Sequence, residues 1–361
     1  MGIFAPQETD FRPSYEILTS SEKALLPDCD DVFFTRSPVD IEEITTIEPI
    51  GSTSPPEHAA ASSSTDTYIA VDTQGTEKTV SLYAPGDIWI TLIQPRYGVT
   101  SDPEDHVIHY ALCKDVFGIV DHVKSFSPEM RDLIRNYECK YGGTPGDNQC
   151  PILLLKPVKA GTVLGTVGRM QGNFNFGTWD LRHNNNFINP QRYGIKSLHS
   201  TCPFDYYSSP VKEQLTALIE RQDKNCGTVM HDIFGTPQGE WFHGDSGNRM
   251  HGDWVNHLYL GYDNRFPEAA VISVGGVISE PLKWMFVPES TGTRNVGFQH
   301  ITHGNIFCYE NDRNGLYWNY EKGPTGKILI QLVDPYTLNI EHQSGTCSGT
   351  YSFVSPSVYN R

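Results

Sequence analysis

The segment from Val80 to Arg182 constrains the fold more than any other part of the chain, because its apolar and polar residues alternate in short blocks. These blocks cover residues 80–93, 119–127, 157–168 and 173–182, and Gly or Pro bounds them. Alternation with a period of two places successive side chains on opposite faces of a strand, and Gly and Pro favour the turns between strands. The segment therefore predicts short antiparallel strands, each buried on one face.

The chain from Gly227 to Arg361 gives a similar signal. It predicts seven further strands, at 228–231, 256–262, 270–274, 283–287, 304–309, 327–333 and 351–354. Between the two β regions, residues 208–221 predict the clearest helix, with Ser209 as its cap and Pro210 at its first position. The predicted fold class is mostly β: an antiparallel barrel-sandwich hybrid domain, followed by a second antiparallel β domain with one helix.

The length of 361 residues suits two domains and a tail. Residues 1–65 show little periodicity and end in a stretch rich in Ser, Pro and Ala, which predicts an N-terminal arm and linker. Residues 66–190 form the first predicted β domain, and residues 200–361 form the second.

Four motifs in the first β domain resemble those of one protein family. They are Tyr-Ala-Pro-Gly-Asp at 83–87, the strand that carries His122, Val-Lys-Ala-Gly-Thr-Val-Leu-Gly-Thr-Val-Gly at 158–168, and Asn-Phe-Asn-Phe-Gly at 173–177. Together they are similar to the lysostaphin-like zinc endopeptidases, which cut peptidoglycan cross-bridges. The resemblance spans residues 66–182. The Gly and apolar spacing predicts that the 157–168 segment packs next to the 173–182 strand.

The resemblance also implies a zinc site, from which this sequence departs. The family binds zinc through a His and an Asp near the first strand and through the last His of a His-x-His strand, and a further His is the catalytic base. His122 matches the base, and the candidates for the first pair are His58, Asp66 and Asp72. The His-x-His strand reads Asn173-Phe174-Asn175 here, and an amide oxygen is a poor zinc ligand. We therefore expect an eroded metal site, with no cofactor and no catalysis. An active zinc endopeptidase with an unusual ligand set is the alternative.

Charge and hydropathy exclude two classes of partner. The chain has 43 acidic and 27 basic residues, a net charge of −16, which disfavours nucleic acid and anionic lipid. No apolar stretch reaches the length of a membrane span.

A second possible metal site is a group of His and Asp residues at His243, Asp245, His251, Asp253 and His257.

Aromatic and amide side chains indicate a glycan ligand, because an indole can stack on a sugar ring while amides bond its hydroxyls. The candidate binding residues are Asn173, Asn175, Trp179, Trp241 and Trp254. The alternative for the segment around Trp241 is a Gly-rich connection with core aromatics. The predicted function is thus non-catalytic binding of a cell-wall or glycan ligand, or scaffolding. A structural or filament-forming subunit that self-associates by exchanging a loose arm is the alternative.

Eight cysteines without a Cys-x-x-Cys motif favour disulfides over a zinc knuckle or a redox site. We expect four disulfides, including the near neighbours Cys139–Cys150, Cys202–Cys226 and Cys308–Cys347. Disulfides predict an extracytoplasmic or secreted protein. The first seven residues do not read as a signal peptide, so export needs a signal absent from this sequence or another route. Buried thiols in a reducing compartment are the alternative.

Overall fold

A computed structural model describes residues 18–30, 32–95, 105–135, 151–248, 253–311 and 324–361. Within these ranges the chain is mostly β, and every ladder between named strands is antiparallel. The predicted fold class is confirmed.

The strands before residue 202 form two sheets. Their bounds are β1 (Ile44–Glu48), β2 (Thr67–Val71), β3 (Val80–Tyr83), β4 (Ile88–Pro95), β5 (His106–Ala111), β6 (Val116–Val123), β7 (Ser125–Phe126), β8 (Ile152–Val158), β9 (Val163–Val167), β10 (Asn173–Asp180) and β11 (Ser200–Thr201). The first sheet has the order β1-β2-β10-β6-β5-β4-β8, with β11 beside β10, and the small second sheet has the order β3-β9-β7.

The remaining strands form the third sheet. They are β12 (Gly239–His243), β13 (His257–Tyr262), β14 (Ala270–Val274), β15 (Leu282–Phe286), β16 (Phe307–Tyr309), β17 (Lys327–Asp334), β18 (Thr337–Gln343) and β19 (Ser357–Asn360). Their order is β15-β14-β13-β12-β19-β18-β17-β16. The helices are α1 (Ser20–Lys23), α2 (Pro128–Arg135), α3 (Ile195–His199) and α4 (Val211–Ala217), and short 3-10 turns lie at Ile41–Glu43, Ala61–Ser63, Pro190–Arg192, Pro203–Tyr206, Asp253–Asn256 and Phe298–His300.

Both faces of the first sheet carry buried side chains. Phe174 and Phe176 of β10 lie in the main core, as the alternation of that strand predicts. The opposite face carries Trp179, and Leu18 and Leu26 from the segment around α1 pack there with it. The third sheet has a separate core that includes Trp241.

Two predicted strands of the third sheet are wrong, and local hydrogen bonds explain why. At 228–231, the Thr228 hydroxyl bonds to the backbone of Met230, which makes a turn. At 351–354, the N–H of Val354 donates to the carboxylate of Glu341 rather than to a neighbouring strand. The centre of the sheet is formed instead by β12, β19 and β18, which the sequence did not predict.

The predicted helix at 208–221 is shorter than expected. It spans α4, and Pro210 stands at its N-cap without a side-chain cap. Ser209 is not the cap, because its hydroxyl donates to the carboxylate of Glu213. At α2, by contrast, the predicted cap Ser127 accepts the N–H of Met130 at 3.2 Å.

The predicted packing of segment 157–168 along β10 is wrong. β8 pairs with β4, and β9 pairs with β3 and β7. The segment reaches β10 at its last residue, where Gly168 and Asn173 form an isolated bridge.

The described part of the predicted arm is packed rather than loose. β1 pairs with β2 at the edge of the first sheet, and Ala59, Ala60 and Ala61 are fully buried. Residues 44–65 therefore belong to the folded body, which removes the basis for exchanging this part of the arm between neighbours.

Two predicted disulfides, Cys202–Cys226 and Cys308–Cys347, are confirmed. A third joins Cys29 to Cys113 across 84 residues. No cysteine in the described ranges is free, and the predicted Cys139–Cys150 pair lies outside them. Three disulfides agree with an extracytoplasmic location. None of the helices described here is long and apolar enough to cross a membrane.

Candidate functional site

Three polar side chains form a row across the middle of the first sheet. Asn175 of β10 lies directly opposite Tyr68 of β2 on one side and Asp121 of β6 on the other. Residues directly opposite each other in antiparallel strands point to the same face of a sheet. The row therefore presents a phenol, an amide and a carboxylate side by side.

His122 follows Asp121 and is turned out of the regular ladder by a bulge. Between the pairs Ile108–Val120 and His106–Val123, two residues of β6 oppose one residue of β5. His122 has a φ of 64°, and its N–H donates to Asp121 Oδ1 at 2.8 Å. This conformation is uncommon for a residue with a Cβ, although histidine adopts it more readily than most.

The bulge brings His122 to a buried ion pair. Its Nδ1 lies 3.0 Å from Asp105 Oδ2, and the Nζ of Lys124 lies 3.4 Å from the same oxygen. The side chains of Asp105 and Lys124 are at most 1% exposed. One carboxylate thus bridges an imidazole and an ammonium group, and each buried charge has a partner.

The described residues hold one group of three side chains with ligand atoms within 4.8 Å of each other, namely Asp105, Asp121 and His122. The donor types could suit a metal ion, but Lys124 already brings a positive charge to Asp105. A divalent cation among these three would repel the nearby ammonium group in a region that excludes water. These three side chains therefore fit zinc poorly. The positive charge beside Asp105 comes from Lys124.

The ligands that the family resemblance implies do not converge. Tyr68 Oη lies 2.7 Å from His58 Nε2, and His58 Nδ1 lies 3.1 Å from the carbonyl of Ser63. Since a carbonyl only accepts, Nδ1 carries the proton and Nε2 accepts from the tyrosine, which leaves no ring nitrogen for a metal in this arrangement. Asp66 lies against Gly177, where a Cβ would stand 2.0 Å from its Oδ1, and Asp72 is exposed beyond the end of β2.

The two asparagines at the expected His-x-His positions differ in their environment. Asn173 is half-buried, and its Oδ1 accepts a hydrogen bond from Gln171 Nε2 at 2.9 Å. Asn175 is 7% exposed, and its Oδ1 is buried without a hydrogen-bond partner in the described structure. Leaving such an oxygen unpaired costs about 1–3 kcal/mol. A donor from a ligand or water would recover that cost.

Two of the three tryptophans predicted to stack on sugars are wrong, because they are fully buried. Trp179 has the Nζ of Lys196 4.8 Å from its ring centroid. Trp241 donates its Nε1–H to the carbonyl of Pro237 at 2.8 Å and has Arg361 over its ring. The alternative of core aromatics is thus correct for Trp241. Trp254 is half-buried and remains accessible.

Sequence reasoning missed Asp105 and Lys124. Asp105 precedes β5, and Lys124 lies in a block taken for a regular strand. One signal was present, since polar residues at 121, 122 and 124 break the period of two. The second possible metal site is not formed in the described part of the chain, because no three ligand atoms of His243, Asp245, Asp253 and His257 lie within 4.8 Å of one another. His251 lies outside the described residues.

A second buried polar cluster joins the 3-10 turn at Ala61–Ser63 to the third sheet. Glu240 of β12 accepts the N–H of Ser62 at 2.6 Å and its hydroxyl at 2.5 Å. Asn248 Nδ2 donates to the same Ser62 hydroxyl at 2.6 Å. Burial, reinforced by the nearby carboxylate of Asp232, raises the pKa of Glu240 to about 8. This carboxyl group is therefore largely protonated at neutral pH.

No protein-family model and no curated protein matches the chain. Among solved structures, the NMR solution structure of lysostaphin aligns with 61% of this chain and 81% of its own at 10% sequence identity, with a TM-score of 0.20.

Proposed function

We propose that the protein is a non-catalytic recognition protein for a cell-wall or glycan ligand, built on a β domain whose motifs resemble a zinc peptidase. The observation that carries the proposal is the internal ion pair of Lys124 and Asp105, which also holds His122. A catalytic histidine must reach the substrate, whereas His122 is 4% exposed and bonded to a buried carboxylate.

The recognition surface in this proposal is the face of β2 and β10 that carries Tyr68, Asn173 and Asn175. Phenol and amide groups both donate and accept hydrogen bonds, which suits sugar hydroxyls and peptide amides. Tyr68 and Asn173 are half-buried, so part of each side chain can reach a ligand. The acidic surface of the protein favours a neutral polymer over an anionic one.

The test is cosedimentation of the whole protein with purified peptidoglycan and with insoluble neutral polysaccharides, together with an assay for released cross-bridge fragments. We expect binding without release of fragments, and a weaker interaction for Asn173→Ala. A matched control is Asn339→Ala, because Asn339 is a half-buried strand asparagine on the third sheet. Cleavage of cross-bridges would overturn the non-catalytic role. Failure to bind either polymer, or equal loss in both variants, would overturn the recognition role at this face.

A further inference from the structure

A series of hydrogen bonds connects Tyr68 on the proposed recognition face to the buried carboxyl group of Glu240. Tyr68 Oη donates to His58 Nε2 at 2.7 Å, and His58 Nδ1 donates to the carbonyl of Ser63 at 3.1 Å. The adjacent Ser62 donates its N–H to Glu240 at 2.6 Å and its hydroxyl at 2.5 Å. Given the recognition role proposed above, we propose that the 3-10 turn holding these two serines regulates that face. The turn is docked on the third sheet while Glu240 is protonated and loosens when Glu240 ionises.

Ser62 is bound through each of its polar groups. Besides its contacts with Glu240, its hydroxyl accepts a hydrogen bond from Asn248 Nδ2 at 2.6 Å, and its carbonyl accepts one from the hydroxyl of Ser197 at 2.9 Å. The preceding Ala61 is buried in an apolar cluster with side chains of β13, β14 and β15. The turn is thus held jointly by the third sheet, by α3 and by the loop after β12, and Glu240 is its contact on β12.

The surroundings of Glu240 make its ionised form costly. Glu240 is 1% exposed, and its N–H donates to Asp232 Oδ1 at 3.1 Å, which places a second acid beside it. Burial raises the pKa of Asp232, and Arg361 partly offsets that rise. Arg192 donates to carbonyl groups of the loop after β12 rather than to Glu240. A buried carboxylate next to another acid is stabilised by water, and water reaches Glu240 when the turn moves away.

The aromatic titratable groups around Glu240 and the turn stay neutral between pH 6.5 and pH 8.5. Burial raises the pKa of Tyr193 and of Tyr259, which lies opposite Glu240 on β13, well above the ordinary value of 10. Burial lowers the pKa of His257, whose Nδ1 lies 3.4 Å from the hydroxyl of Ser63, to about 4. The pKa of Glu240 is about 8, so its charge changes in this range whereas theirs does not.

Loosening of the turn removes the support of Tyr68. The carbonyl of Ser63 fixes the proton of His58 on Nδ1, and that tautomer presents Nε2 as the acceptor for the hydroxyl of Tyr68. When Ser63 moves, His58 is free to change tautomer, and Tyr68 loses the partner that holds it beside Asn175. Side chains that are already held in place bind a ligand more tightly than mobile ones. Affinity at the recognition face should therefore fall as the pH rises through 8.

The first test is cosedimentation of the whole protein with purified peptidoglycan at pH 6.5 and pH 8.5. Binding should be about fivefold weaker at pH 8.5, a typical size for coupling between two sites. Glu240→Gln cannot ionise and should keep its affinity at pH 8.5. Glu341→Gln is the matched control, because Glu341 lies in the same sheet and accepts the N–H groups of Val354 and Ser355 instead of those of the turn. This control should lose affinity as the unmodified protein does.

Nitrogen-15 NMR of the histidine rings gives a second readout that needs no ligand. The ring signals of His58, identified by their loss in His58→Gln, should show a step near pH 8 that is absent in Glu240→Gln. Near-ultraviolet circular dichroism at pH 8.5 checks that both proteins remain folded. If Glu240→Gln does not fold, Ser62→Ala replaces it. That variant removes the hydroxyl contact to Glu240 and should already bind weakly at pH 6.5.

The outcomes separate regulation from recognition. Regulation is overturned if the unmodified protein and Glu240→Gln lose affinity equally, or if the His58 step is the same in both. If peptidoglycan binds equally well at both pH values, the recognition role stands and the regulation falls. If it binds at neither pH, the recognition role falls, and the His58 step alone decides whether the turn couples Glu240 to this face.

Discussion

The two buried polar clusters handle an inaccessible carboxyl group in opposite ways. In the first sheet, Asp105 is buried beside the ammonium group of Lys124 and the imidazole of His122. At the junction with the third sheet, Glu240 has hydrogen bonds from Ser62, while its acidic neighbour Asp232 raises its pKa further. Asp105 thus has cationic partners, whereas protonation neutralises Glu240. The free energy of unfolding should therefore depend on Lys124 through the first cluster and on pH through the second.

The largest effect is expected at Glu240. Its pKa is about 8 in the folded protein against an ordinary value of 4.5, so the folded state holds the proton more tightly. The stability from this group is fully present below pH 4.5 and is lost as the pH rises towards 8. The loss approaches about 5 kcal/mol at 1.36 kcal/mol per pH unit, as an upper bound.

Glu240→Gln tests this dependence, because the amide resembles the protonated acid. Urea unfolding from pH 5 to pH 8 should give a flatter profile for the variant, which should become the more stable protein at pH 8. Parallel profiles for the two proteins would contradict the assignment.

Lys124→Met should come next, with a loss of about 3–5 kcal/mol in the free energy of unfolding. The substitution keeps much of the buried chain but leaves Asp105 without its cation. Lys124→Met combined with Asp105→Asn should recover part of the loss, because no buried charge then remains unpaired. Urea unfolding at pH 7 measures both.

Lys212→Met is the control for Lys124→Met. Lys212 pairs with Asp205 at 2.9 Å, but both side chains are exposed to solvent. Water and salt screen such a pair, so its loss should cost roughly 0–1 kcal/mol. If Lys124→Met and Lys212→Met lower the free energy of unfolding equally, burial does not strengthen the contribution of Lys124.

A smaller and opposite pH effect is expected at His257, which is 3% exposed. Burial lowers its pKa from 6.5 to about 4, so the unfolded chain binds a proton more readily. Its contribution is present above pH 6.5 and is lost as the pH falls towards 4, by about 3 kcal/mol at most. His257→Gln should reduce the acid sensitivity of unfolding in that window, as followed by tryptophan fluorescence. An unchanged acid limb would argue against a buried neutral imidazole.

The smallest effect is expected for zinc. Asn175→His restores the histidine that the family resemblance implies, but His58 is bonded to Tyr68 and Lys124 remains beside Asp105. We therefore expect no stoichiometric zinc in the unmodified protein or in the variant, as measured by elemental analysis after purification. One zinc per chain in the unmodified protein would refute the eroded-site interpretation. Zinc in the variant alone would show that Asn175 was the missing ligand.

The alternation of residues predicted much of the sheet structure, because the period of two is a local property of a strand. Phe174 and Phe176 lie in the core where that period places them, and β13, β14, β15 and β17 lie close to their predicted positions. Near-neighbour cysteines likewise gave two disulfides. The sequence by itself thus determined the β class and most strands.

Only the tertiary structure decided which side chains meet. Cys29 pairs with Cys113 across 84 residues, and Glu240 bonds to Ser62 across 178 residues. Trp179 and Trp241 were candidate binding residues, and both are buried because other segments pack over them. The bulge that turns His122 towards Asp105 depends on the register of β5 and β6. Local patterns set the direction of each side chain relative to its own strand, whereas the register and packing of distant strands set its neighbours.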